Sequence, residues 1–171
     1  MNEDQEVTRA LEIARAQRAA GAHDAARDAL VELAARYPDH AVVWYETACV
    51  HDFLGFEAQA VPHYLRALVL GLPDELARSA WLGLGSTYRT LGRYDESEQA
   101  LRDGLARFPD AAELRTFLAM TLYNLGRHHE AMALALGVIA DTTADTELRG
   151  YQRAIRFYAQ DLDRRWDAGP A

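Results

Sequence analysis

Four glycines, Gly21, Gly55, Gly92 and Gly126, divide the chain at intervals of 34, 37 and 34 residues. Each follows one stretch of helical hydrophobic spacing and precedes another. A period of this size marks a stack of repeated helical units, none of which buries its apolar face alone. The residue inventory agrees. Of 171 residues half are hydrophobic, all 18 basic groups are arginine, and isoleucine occurs only three times. Helix formers abound and strand formers are scarce, so the chain is expected to be all-α.

The third unit is the clearest. It runs Trp81-Leu82-Gly83-Leu84-Gly85-Ser86-Thr87-Tyr88, then Gly92-Arg93-Tyr94-Asp95-Glu96, and closes at Pro109. Around Gly55 stand Trp44, Thr47, Ala48, His51, Ala60, Tyr64 and Ala67; around Gly126 stand Leu118, Ala119, Leu122, Ala131 and Val138. Around Gly21 stand Ile13, Ala14, Gln17, Ala26, Leu30 and Pro38. The third unit closely resembles the tetratricopeptide repeat: Trp-x-x-Leu-Gly-x-x-Tyr, a turn glycine and a closing proline. The resemblance covers about residues 7–145. Gly71-Leu72, the run from Gly85 to Gly92, and Phe117-Leu118-Ala119 make the chain similar to a bacterial family of short stand-alone repeat proteins. It implies a right-handed solenoid of four helical hairpins. The expected organisation is one domain over residues 1–171, with repeats at about 7–40, 41–77, 78–111 and 112–145 and a capping helix at about 146–166.

Elementary physics supports that reading. Trp81, Leu84, Gly85 and Tyr88 recur at i, i+3, i+4 and i+7 and so share one helix face. Ala14, Ala48, Gly85 and Ala119 occupy one equivalent position, where a small side chain lets a second helix approach. Glycine inside a helix costs about 1 kcal/mol relative to alanine, so Gly85 points to a steric need. The turn glycines suit the left-handed conformation that ends a helix. Asp24 and Asp95 are expected to be N-caps, and Asp110-x-x-Glu113 a variant capping box.

Pro62, inside the second helix of repeat two, predicts a modest kink. After the polar loop at 141–145, Leu148, Tyr151, Ile155, Tyr158 and Leu162 share a face. This segment is expected to cap the last hairpin, with Arg149, Arg153, Arg156 and Arg164 towards solvent and 167–171 as a frayed end. Nine helices are expected in all.

The resemblance places the first helices on the concave side. The groove would then contain Leu11, Arg15 and Arg18; Tyr45, Cys49, Asp52 and Phe53; Leu82, Ser86, Arg89 and Thr90; and Glu113, Thr116, Met120, Tyr123 and Asn124. Three arginines against two acids make it net positive on a chain of formal charge -8. Arginine with aromatic anchors is the composition of protein-binding hot spots. The expected role is therefore a non-enzymatic module that binds a peptide or protein segment, with an acidic one favoured. The competing reading of the arginines is internal pairing of Arg18 or Arg89 with Asp52. At the positions of a chaperone-type carboxylate clamp stand Leu11, Arg15, Glu46, Ser79 and Gly83, of which only Arg15 suits a carboxylate. A rival function is a homodimeric assembly protein, two-fold dimers being the commonest oligomers.

Other chemistries find little support. The negative charge opposes nucleic acid and anionic membrane. The longest apolar runs are far below the roughly 20 residues that cross a bilayer, and the acidic start is unlike a signal peptide. The single Cys49 excludes an intramolecular disulfide, fits a reducing cytoplasm, and with Glu46 and Asp52 nearby reads as a small hydrophobe in a helix seam. His51 takes the place of Tyr88 and reads as a core histidine; His63 meets it only across the hairpin. His128 and His129 are neighbours that face different ways, so no metal site is expected. Ser79, Ser86 and Ser97 lie in no nucleophile elbow, and Gly83-x-Gly85 in no phosphate loop. No cofactor and no catalytic residue is assigned. An enzyme would need converging polar groups in a deep pocket.

Overall fold

The computed structural model describes residues 3–165. They form ten helices: α1 (Glu3–Ala19), α2 (His23–Arg36), α3 (Ala41–Phe53), α4 (Glu57–Leu70), α5 (Asp74–Thr90), α6 (Tyr94–Arg107), α7 (Ala112–Asn124), α8 (His128–Thr142), α9 (Thr146–Gly150) and α10 (Gln152–Tyr158). There is no strand among the described residues. Helices pair as α1–α2, α3–α4, α5–α6 and α7–α8, and each hairpin packs on the next through its neighbours' faces.

All four hairpins turn in the same way, and the glycines explain it. Gly21, Gly55, Gly92 and Gly126 have φ of 81, 80, 72 and 76°. In each, the glycine N–H and the following N–H return to two carbonyls of the last turn: Gly92 N to Arg89 O at 3.0 Å, Arg93 N to Tyr88 O at 2.9 Å. That double return is a Schellman cap, which satisfies carbonyls that would otherwise end unpaired. A side chain at such a φ costs roughly 1–2 kcal/mol. The three additional residues between repeats two and three add a turn to the start of α5, while Leu72 is buried beside them.

The small-residue position is the close contact of each hairpin. Ala14, Ala48, Gly85 and Ala119 are all buried. A Cβ on Gly85 would lie 2.5 Å from Leu101 Cγ. With no side chain in the way, Ser97 Oγ donates to Gly85 O at 2.7 Å. Gly83 plays a similar part between repeats, since a Cβ there would meet Tyr64 Cζ and Oη at 2.5 Å.

Several local expectations are corrected. Asp24 and Asp95 are not N-caps; the caps are Ala22 and Arg93, with no side-chain bond, and the aspartates lie in the first turn. There they favour the helix dipole rather than a single N–H. The capping box is absent: Ala111 caps α7, and Glu113 turns instead to Arg78 of α5. Pro62 lies inside α4 and does not end it, the helix running from Glu57 to Leu70. The C-terminal segment is two short helices rather than one, broken at Tyr151, whose N–H bonds Leu148 O at 3.0 Å. Hence there are ten helices among the described residues, not nine. The cap is also partial. Leu148 and Ile155 are half-buried, but Tyr151, Tyr158 and Leu162 are 63, 53 and 44% exposed. Trp166 and the expected frayed end at 167–171 lie outside the described residues.

Candidate functional site

The predicted groove residues fall into three groups. The first is closed by ion pairs. Arg15 Nε and Arg18 Nη1 donate to the two oxygens of Glu46, each at 2.7 Å. The Glu46 side chain is only 8% exposed, so this carboxylate needs both partners. Arg15 and Arg18 therefore tie α1 to α3. Their partner is Glu46, not the Asp52 weighed for Arg18 from sequence. Leu11 is buried and lines no open surface.

The second group is a half-buried polar knot between repeats two and three. Thr87 Oγ1 donates to Asp52 Oδ1 at 3.0 Å, and Tyr64 Oη to Asp52 Oδ2 at 3.4 Å. Burial pushes the Asp52 carboxyl up, against the two hydrogen bonds that lower it. Burial also pushes up the Cys49 thiol and the Tyr45 and Tyr64 phenols, so these are poor nucleophiles and acids. Cys49 behaves as the seam hydrophobe expected of it. Phe53 is 64% exposed and pairs with His23, ring centroids 4.2 Å apart. Ser86 is half-buried, and Thr90 exposed.

The third group is open. Arg89, Thr116, Met120 and Tyr123 line one cleft of about 370 Å³, with Ala119 on α7 and His128, Ala131, Met132 and Ala135 on α8. Met120, Tyr123 and Met132 are 39, 63 and 51% exposed. Tyr123 rests on His128, ring centroids 4.7 Å apart. Arg89 enters at the edge, its Nε donating to Asn124 Oδ1 at 2.8 Å. Arg89 thus pairs with Asn124, not Asp52, and remains beside the cleft. Glu113 is not a free groove acid, being forked onto Arg78 Nε and Nη2. The α8 contribution was missed from sequence because only first helices were assigned to the groove. The signal was present: Met132 stands where the third repeat has Glu98.

His51 and His63 are part of the packing between α3 and α4. His51 is buried, its Nδ1 2.7 Å from Thr47 O, and its ring centroid lies 4.9 Å from that of His63. Burial, then the charge of His51, lowers the pKa of His63. Among the described residues no three His, Cys, Asp or Glu side chains converge as metal ligands. No described helix is long and apolar enough to cross a membrane.

These features define a class: a helical-repeat solenoid with an open, largely apolar cleft at one end. The comparisons agree. A profile described as "Tetratrico peptide repeat" matches residues 40–162, and a second, "Tetratricopeptide repeat", matches residues 10–40. The chain belongs to the tetratricopeptide repeat family. No curated protein matches the sequence. Among solved structures it is similar to the crystal structure of MamA protein, at TM-score 0.73 and 18% identity, over 90% of this chain and 86% of that one. It is also similar to a MamA structure described as the RS-1 ArsTM double mutant, at TM-score 0.67 and 18% identity, over 95% of this chain and 99% of that one. These likenesses concern the fold.

Proposed function

We propose that this chain is a non-enzymatic protein-interaction module that holds a peptide or protein segment in its concave groove. The contact concentrates at the α7–α8 end. Proteins of the repeat family bind proteins or peptides, and the class is typically a scaffold rather than a catalyst. The observation that carries the reading is the cleft itself, where Met120, Tyr123 and Met132 are solvated together beside Arg89. Exposed apolar side chains gathered in a concavity mark an interaction site. Arg89 at the edge favours a segment that carries a carboxylate. The ion-paired N-terminal half contributes shape, with Phe53 and Asn124 as outlying contacts. A bacterial, reducing cytoplasmic setting belongs to this reading, as does a protein partner rather than nucleic acid or membrane.

Capture from cell extract tests it. Tyr123→Asp combined with Met120→Asp is expected to abolish capture without moving the melting temperature. Unchanged capture would remove the cleft from the functional account. A homodimeric assembly role is the second reading, favoured by the exposure of Tyr151, Tyr158 and Leu162 at the C-terminal end. Light scattering at micromolar concentration separates the two.

A further inference from the structure

Each hairpin of the solenoid is a seat for the next first helix; on the fourth, α10 packs on α8 but leaves the cleft unfilled. α3 packs on α2, α5 on α4, and α7 on α6. Four residues that meet α7, Leu82, Arg89, Ser97 and Leu101, sit one repeat before Thr116, Tyr123, Ala131 and Ala135 of the cleft. Ser97 hydrogen-bonds Thr121 of α7, and Leu101 is wholly buried in the cluster that includes Leu114, Leu118 and Phe117. On the fourth hairpin Ala131 is still buried and Ala135 half-buried, but Thr116, Met120, Tyr123 and Met132 around them are exposed.

The seats also show what fits them. On hairpin two the seat offers the large Tyr64, and the incoming helix answers with Gly83. On hairpin three it offers Leu101, and the incoming residue is Phe117. On hairpin four it offers Ala135, which leaves room for a large side chain.

The chain's own C-terminal segment carries the matching pattern but does not use it. Leu148, Tyr151 and Ile155 lie 34 residues after Leu114, Phe117 and Thr121. After the break at Tyr151, α10 packs on α8 against residues other than those that line the cleft. Ala159, Gln160 and Leu162 sit by His129, Glu130 and Ala133, and Arg156 bonds Asp141 Oδ1 at 2.7 Å. No residue of that segment lines the cleft. A second copy stacked head to tail offers the wrong chemistry: α1 bears exposed Glu12 and Arg9 where α7 has Phe117 and Leu114.

We infer that the α7–α8 cleft is the docking site for an amphipathic helix of a partner protein, one that sets a bulky aromatic side chain against Ala135. The inference rests on the interaction reading above and names its partner class. The occupant continues an interface that the chain already makes three times within itself.

The probe is a fluorescent synthetic peptide with the sequence of residues 146–162 and Gly150→Ala, titrated into the full-length protein. Saturable binding is expected. Tyr151→Ala in the peptide, or Ala135→Phe in the protein, is expected to weaken it by about tenfold or more, with the protein's melting temperature unchanged. Sedimentation in the same samples follows the oligomeric state. No binding, or binding indifferent to both substitutions, overturns the inference. So does a protein dimer that falls apart as the peptide binds, which would assign the seat to a second copy. If the peptide fails while capture from extract still depends on Tyr123 and Met120, the helix seat is wrong and the groove reading stands.

Discussion

Arg18 Nη1 donates to Glu46 Oε2 at 2.7 Å, from the first helix of one repeat to the first helix of the next. Arg15 takes the other oxygen, so both arginines of α1 are tied to α3. Two of three groove arginines are structural ties. Arg89 alone of the three borders the open cleft.

The stability of this tie is asymmetric. Glu46 is buried, whereas Arg15 and Arg18 keep 50 and 29% of their side-chain surface. Removing both arginines leaves a buried charge without a partner, at a cost of about 3 kcal/mol. Glu46→Gln keeps the shape and loses the charge, at about 1 kcal/mol. Urea melts of the Arg15→Ala, Arg18→Ala double variant and of Glu46→Gln check the order. Equal stabilities would mean that the carboxylate is solvated in solution.

Gly83 and Tyr64 set the spacing of repeats two and three. Tyr64 is 3% exposed, so its ring has no room to retreat from a new methyl group. Gly83→Ala is expected to cost about 1–3 kcal/mol by overpacking. Combining it with Tyr64→Leu restores part of that loss, because the two changes share one contact. Gly85→Leu, opposite Leu101, falls in the same range. Thermal melts that do not move would contradict the packing.

Stability should fall in mild acid because of His63. Its pKa is lowered by burial and then by His51, so the unfolded chain takes up the proton first. The contribution of neutral His63 is complete above the unfolded value of about 6.5 and is lost as pH drops through the folded value. Melting temperatures from pH 7.5 to 5.5 are expected to decline, and His63→Phe to flatten the decline. A parallel decline in the variant would place the titration elsewhere.

The helical hairpins were legible because their signals are local and repeated. Gly21, Gly55, Gly92 and Gly126 encode a backbone conformation, and Gly85 a steric need that any neighbour would impose. Caps were less legible. Asp24 and Asp95 have the right chemistry two positions inside the helix, and a shift of that size is not visible in composition. Arginine partners were not legible either, since a side chain that long reaches several acids on the adjoining helix. Arg18 has Glu46 within reach, and only packing decides between it and Asp52. The fate of the last segment turned on Gly150, which breaks a helix that Leu148, Tyr151 and Ile155 would otherwise continue.

Photo-crosslinking tests the central claim most directly. Benzoylphenylalanine placed at Met120 and at Tyr123 lies in the cleft; at Gln99 it lies on the exposed face of α6. Irradiated in cells, the two cleft positions are expected to join the chain to one and the same protein, and Gln99 to none. Crosslinks from Gln99 alone, with none from Met120 or Tyr123, would contradict the account.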